Sequence, residues 1–386
     1  MMSKTEEEAG GAPLRIERVA LHRVRVRLCE PFRISNGSVA EKDSVLVEVT
    51  TDRGVTGWGE SSPMSGSFYS DDTPDTVWRA LAGTLIPLAL GEDEIDAPRF
   101  YERLRAVPGE AFAKAGLEGA LWDAHARTLG VPLCEALGAR PRPVPSGLAV
   151  GIYDTAEELV ERVGRYLAEG YRRVKIKIQP GWDVAPVGAV RARFPGVPLM
   201  VDANAAYTLA DAEVFRRLDA YGLMMFEQPL ARGAHADSAE LQRQLKTPVC
   251  ADESADSLAD VEEIVRLGAA RIVNIKIQRV GGLSESRLML GRVRAAGLGC
   301  WLGTMPELGV ASAQGLHLAA LEGFDYPTDI EASARWFVDD LVEPQIEIDR
   351  DGFISPPAGA GTGYEVSREK IRTYAVGSRE FTRRRG

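Results

Sequence analysis

Six short segments decide the fold: RVKIKI at 173–178, LMVDAN at 199–204, LMMFEQ at 223–228, VCADES at 249–254, IVNIKI at 272–277 and CWLGTM at 300–305. Each is a brief apolar run of strand length. Between them lie amphipathic helical stretches such as TAEELVERVGRYLAEG at 155–170 and LADVEEIVRLGA at 258–269. Repeated strand–helix units build a parallel sheet with helices outside it. The polar residues that end successive strands are Lys177, Asp202, Glu227, Asp252 and Lys276, spaced by 25, 25, 25 and 24 residues. That period is one βα unit. With SGLAVGI at 146–152 before and DYPTDIE at 325–331 after, about eight strands can be counted, which predicts an α/β fold of the (β/α)8 TIM-barrel type over 141–335. An open doubly wound sheet is the alternative, but the GxGxxG fingerprint of a dinucleotide fold is missing after the first strand.

Upstream of the barrel the periodicity differs. ERVALHRVRVRL at 17–28 and SVLVEVTT at 44–51 alternate apolar and polar residues, and turn residues 52–54 lead to a third strand at 55–60. In KAGLEGALWDAHARTLG at 114–130, Leu117, Ala120, Leu121, Ala124 and Leu129 form a helical stripe that Gly130 stops. A sheet followed by helices makes residues 14–140 a small α+β domain.

Composition excludes several classes. At 386 residues, 45% hydrophobic and 26% charged, the chain has the make-up of a soluble globular protein with two packed units. A net charge of −10 argues against a nucleic-acid partner, and the RRR run at 383–385 has the form of a solvated terminus. The longest apolar stretch, 80–90, is too short to cross a bilayer and contains Pro87. Residues 1–13 form an acidic tail with no signal-peptide h-region, expected to be disordered. Cys29, Cys134, Cys250 and Cys300 lack ligand-like spacing and are expected to be reduced, mostly buried thiols of a cytoplasmic protein.

In a parallel barrel all strands point one way, so the five strand-end residues gather at one mouth. Three carboxylates meeting there repel one another unless a cation holds them. Oxygen donors without His or Cys suit Mg²⁺ or Mn²⁺ rather than zinc. The competing reading makes these carboxylates structural partners of the lysines. Lys177 and Lys276, on strands two and six, face each other across the mouth and could serve both faces of one substrate carbon. A metal bound to a substrate carboxylate stabilises the enediolate formed when the α-proton leaves. A lysine beside a second ammonium has its pKa lowered, as a base requires. Lys175, on the same strand face as Lys177, is the candidate for that tuning charge, or else a salt-bridge partner at the mouth.

The chain resembles the enolase superfamily, specifically its muconate-lactonizing-enzyme subgroup, over nearly its whole length. The resemblance rests on KIK at 175–177, VDAN at 201–204, FEQP at 226–229, ADES at 251–254 and NIKIQRVGG at 274–282. KAGLEGALWDAHARTLGVPL at 114–133, PFRISNGS at 31–38 and WGE at 58–60 match as well. It implies that Asp202, Glu227 and Asp252 ligate Mg²⁺ and that Lys177 and Lys276 are the acid/base pair. Residues 14–140 become a lid, or capping, domain whose loops near 32–38 and 65–70 choose the substrate, and 336–386 return to that domain. Within the subgroup the chain is most similar to the o-succinylbenzoate synthase and N-acylamino acid (N-succinylamino acid) racemase group. KIKIQPGWDVAPVGAVRARFP at 175–195, VDANAAYTLADA at 201–212 and EQPL at 227–230 carry that likeness. Arg279 stands where racemase-active members have an arginine. Two segments depart from the group: GTMPELG at 303–309, where Glu307 still fits, and PTDIEAS at 327–333 in place of a GDTSAS-like run. Both line the distal end of the substrate in the family, so they bear on which carboxylate is bound. Substrate contacts are expected from Arg279, Asn204, Glu307, Phe32 and Tyr69. Glu307 has the alternative of pairing with a lysine, and loop aromatics that of packing.

Four activities remain open: racemisation or epimerisation of an N-acyl amino acid or dipeptide, o-succinylbenzoate-type elimination, muconate-type cycloisomerisation, and ligand binding without catalysis. The intact set of five polar strand ends speaks against the last. The expected partner is a small carboxylate, and barrels of this sort commonly form homo-oligomers.

Overall fold

The computed structural model describes residues 13–64 and 69–384. The acidic tail before residue 13, the lid segment 65–68 and the last arginine of the RRR run lie outside the described residues. Three antiparallel strands open the chain, Ile16–Ile34, Gly37–Thr51 and Thr56–Ser61. A fourth, Ala375–Thr382, comes from the far end of the chain and pairs with the first in the register Arg18↔Thr382. Val19, Leu21, Val45, Val47 and Val49 are fully buried, so alternation has put one face of this sheet against a core.

Against that face lies the helix Ala111–Leu129, ended by Gly130 at φ +71°. The structure corrects the stripe expected here. Nearly every side chain from Phe112 to Ala126 is buried, because the helix is caught between the sheet and the barrel and has little solvent face. Leu129, assigned to the stripe, is exposed. Sheet and helix approach so closely that a Cβ on Gly59 would sit 2.0 Å from the Gly116 carbonyl oxygen. Gly59→Ala is therefore expected to lower stability by about 3 kcal/mol or more, since backbone cannot retreat as a side chain can. Gly83→Ala, where an added Cβ meets nothing within 4 Å, is the control. Urea midpoints that coincide for the two variants would refute this packing argument.

The barrel strands run Gly147–Val150, Arg173–Lys177, Leu199–Asp202, Phe226–Glu227, Val249–Ala251, Ile272–Ile275 and Gly299–Leu302, all parallel and in sequential order. Outside lie helices, several of which start at side-chain caps. Thr155 accepts from Glu158 N ahead of Ala156–Glu169, and Ser257 from Asp260 N ahead of Leu258–Leu267. The eighth segment is not a regular strand, because Pro327 has no N–H to give a ladder. It still bonds on both sides: Gly147 N donates to Thr328 O at 2.8 Å and Asp329 N to Leu302 O at 3.3 Å. The ring is thereby closed.

Cys134, Cys250 and Cys300 are buried and free, and Cys29 is free and exposed. Among the described residues no helix is long and apolar enough to cross a membrane.

Candidate active site

Barrel geometry brings the predicted strand ends together. Lys177 pairs in register with Asp202, and Asp202 with Glu227, so three polar termini stand side by side. Asp252 follows the next strand, Val249–Ala251, and Lys276 follows Ile272–Ile275. Asp202, Glu227 and Asp252 have no solvent exposure. Charge neutrality in this dry mouth comes from cationic side chains. Lys177 Nζ donates to Asp202 Oδ2 at 2.5 Å and to Asn204 Oδ1 at 2.9 Å. Lys276 Nζ donates to Asp252 Oδ2 at 2.6 Å and to the Tyr69 hydroxyl at 3.0 Å. Lys175 Nζ lies 3.2 Å from Glu227 Oε2 and 3.5 Å from Asp202 Oδ2.

These pairs set the electrostatics. Burial works against the charge on Lys276, yet Asp252 and the other acidic groups around it raise its pKa well above the lysine value. Lys175 is raised in the same way, by Asp329, Glu227 and Asp202 against its burial. At Lys276 the ammonium is thus favoured rather than disfavoured, because it is paired with the Asp252 carboxylate. Lys175 is an ion-pair partner of three acids, Asp202, Glu227 and Asp329. Glu227 is raised as well, which here disfavours its charge: burial and the charges of Asp202 and Asp252 push its carboxyl up.

The donor set fits a hard divalent cation by its chemistry. Glu227 Oε1 accepts from Asn274 Nδ2 at 2.9 Å, while its buried Oε2 makes no hydrogen bond and is only ion-paired, with Lys175 Nζ at 3.2 Å. Asp202 Oδ1 accepts from Asn204 N at 2.9 Å. Among the described residues no three His, Cys, Asp or Glu side chains surround a common point as ligands. Strained backbone supports the mouth: Asn204 and Gln228 follow their strands at φ +42° and +37°. Gln228 Oε1 accepts from both Asp252 N and Ser254 N, fixing the start of the loop that carries Asp252.

Above these groups opens a cavity. Its polar lining is Lys175, Lys177, Lys276, Asn204, Thr304 and Asp329, and its apolar wall includes Phe32, Ile34, Met64, Met305 and Trp336. Tyr69 reaches in from the lid beside Lys276, with the ammonium 5.3 Å from its ring centroid. Phe32 meets Trp336 edge-on at 4.9 Å.

Two expected substrate contacts do not line this cavity. Arg279 is buried behind Asp252, bonded to that carboxylate and to Asn274 O at 2.8 Å, and ion-paired with Asp256 at 2.7 Å. Glu307 turns away and accepts from Met305 N at 3.1 Å. Burial and the charge of Glu60 raise its carboxyl, with Lys42 and Lys276 as compensating cations. Its sequence neighbours Met305 and Pro306 face the cavity instead.

Sequence reasoning missed Asp329 and Glu253. Asp329 bonds both Lys175 and Arg173, which with burial opposing brings its carboxyl down to about 2. Glu253 accepts from Asn204 Nδ2 at 3.0 Å beneath Lys177. Both lie in quoted motifs, DYPTDIE and ADES, and alternation along the eighth segment was the available signal for Asp329.

Comparison with known proteins follows the same lines. Residues 16–138 match the family model described as mandelate racemase / muconate lactonizing enzyme, N-terminal domain, and residues 158–370 match enolase C-terminal domain-like. The chain is 43% identical to an o-succinylbenzoate synthase of Geobacillus kaustophilus, over 96% of this chain and 98% of that one. It is 41% identical to an N-succinylamino acid racemase of Amycolatopsis sp, over 91% and 95%. A crystal structure of an enolase-superfamily member from Listeria innocua superposes with a TM-score of 0.92 at 33% identity, covering 96% of this chain and all of that one.

Proposed function

Because the chain belongs to the mandelate racemase / muconate lactonizing enzyme family and is an enzyme of the enolase superfamily, we propose that it removes the proton α to the carboxylate of an N-acyl amino acid, N-succinyl foremost, and returns it to the opposite face. Elimination of the o-succinylbenzoate type is the second reading, favoured by the 43% identity to a synthase. One observation carries the proposal: Lys177 and Lys276 enter a single cavity from the second and sixth strands. Strands so placed lie across a barrel of eight, so the two ammonium groups can address opposite faces of one carbon.

Asp202, Glu227 and Asp252 are the residues that would hold Mg²⁺ or Mn²⁺. When bound, such a cation supplies Lewis-acid stabilisation of the charge that builds up on the substrate carboxylate. Lys177 and Lys276 hold and move the proton at Nζ. Asn204 steadies Lys177 through its Oδ1, and Lys175 keeps the acidic strand ends compensated. Phe32, Ile34, Met64 and Trp336 shield the reacting carbon from water and receive an apolar side chain or ring.

The test is incubation in D2O, with Mg²⁺, of a set of N-succinyl amino acids and of the dehydration precursor of o-succinylbenzoate. Loss of optical rotation together with α-deuterium in an N-succinyl amino acid is the expected result. No deuterium incorporation and no elimination product from any of them would reject the proposal.

A further inference from the structure

The barrel seam changes character as it nears the cavity. Lower down, the first strand is tied to the eighth segment by backbone, with Thr328 N donating to Pro145 O at 2.9 Å and Gly147 N to Thr328 O at 2.8 Å. Two residues further on, at Ala149 in the cavity wall, side chains take over. Glu331 Oε1 accepts from Ala149 N at 2.8 Å, and Arg335 Nη2 donates to Ala149 O at 3.1 Å. A carboxylate and a guanidinium thus stand in for the missing rung of the ladder. Arg335 Nε lies 3.3 Å from Glu331 Oε2, and both side chains are buried.

The same guanidinium reaches the lid. It lies 4.4 Å from the centroid of Tyr166 and 4.6 Å from that of Trp336, and its Nη1 is 3.8 Å from Glu30 Oε1. Glu30, on the first lid strand, accepts from the Tyr153 and Tyr166 hydroxyls at 3.0 Å each. Beyond it, Arg33 O accepts from Ile152 N at 2.9 Å, and Phe32 packs on Trp336. A buried ion pair contributes little net stability, because desolvation offsets most of its attraction, so geometry is what such a pair supplies best.

We propose that Glu331 and Arg335 are positioning residues, which seal the seam between the first and eighth barrel strands and, through Glu30, hold Phe32 and Trp336 as one wall of the cavity. They set which side chains fit without touching the reacting atoms; neither lines the cavity. This assignment rests on the cavity being the place where the α-proton is taken, and the test separates the two.

Amide hydrogen exchange by mass spectrometry is compared for the wild type, Arg335→Met, Arg335→Lys and Glu331→Gln. Arg335→Met is expected to lose protection in 28–36 and in 147–153 together, while the strands on the far side of the barrel keep theirs. Arg335→Lys should recover part of it, because the charge facing Glu331 and Glu30 returns. In turnover, KM for an N-succinyl amino acid with an aromatic side chain should rise about 10-fold or more, while kcat for the alanine analogue stays within about threefold. Unchanged protection of 28–36, loss spread evenly over the chain, or kcat falling equally for both substrates would each overturn the assignment. Should Arg335→Met not fold, Glu331→Gln carries the same comparison. The exchange arm needs no turnover, so it decides the coupling of seam to lid even if none of these substrates is converted.

Discussion

Lys177→Ala is expected to abolish solvent-deuterium exchange at the α-carbon of one enantiomer of the substrate and to spare it on the other, with Lys276→Ala giving the mirror result. The loss should be on the order of 10²–10⁴-fold, the usual worth of a positioned general acid or base. The expectation rests on placement. Each lysine lines the same cavity, each is held by a different carboxylate, and the strands that carry them are the second and sixth of the ring. A proton taken by one must be returned from the other side for racemisation, so each variant retains half of the exchange chemistry. Elimination makes a different pattern, in which one lysine alone is the base and the second variant fails at the later step. Measuring exchange of each pure enantiomer by NMR separates these outcomes. If neither substitution alters exchange for any carboxylate the enzyme binds, the lysines serve only as counter-ions to Asp202 and Asp252, and the assignment falls.

Removal of divalent metal should be nearly as severe. Several kcal/mol of charge stabilisation correspond to roughly 10²–10³-fold or more in rate, so activity should vanish on dialysis against a chelator and return with Mg²⁺ or Mn²⁺. The motivation is the buried acidic trio of oxygen donors, in which one Glu227 oxygen makes no hydrogen bond and has only the Lys175 ammonium at 3.2 Å. Asp202→Asn removes one charge and keeps the shape, and should weaken metal binding. A readout free of turnover is available: Mg²⁺ should raise the thermal midpoint of the wild type and leave that of Asp202→Asn almost unmoved, because a ligand stabilises only as far as it binds the folded state. Full activity in excess chelator, with metal absent by elemental analysis, would exclude this role for the trio.

Much of the molecule was legible from local pattern. A period near 25 and the apolar runs located the barrel strands, and the residues ending them follow from counting. Lys177, Asp202, Glu227, Asp252 and Lys276 therefore come to one mouth as a consequence of chain order alone. Gly130 closes its helix because glycine takes positive φ without cost. Phe32, Tyr69 and Asn204, named from motif and loop, do line the cavity. What only the tertiary structure decided is which group each buried charge meets. The partner of Lys175 is Asp329, 154 residues away, brought there by closure of the ring. Arg279 is bonded behind Asp252, and Glu307 is tucked beside Met305, although the resemblance to the family made both expected substrate contacts. The helix 111–129 lost its solvent face when sheet and barrel closed over it, and the eighth segment became a short irregular stretch whose pairing is finished by Glu331 and Arg335. The physical reason is common to all of these. Period and alternation are properties of a few consecutive residues, whereas the sign of a pKa shift, the direction of a side chain and the wall of a cavity depend on the nearest groups in space, and barrel closure and lid docking choose those groups from distant parts of the chain.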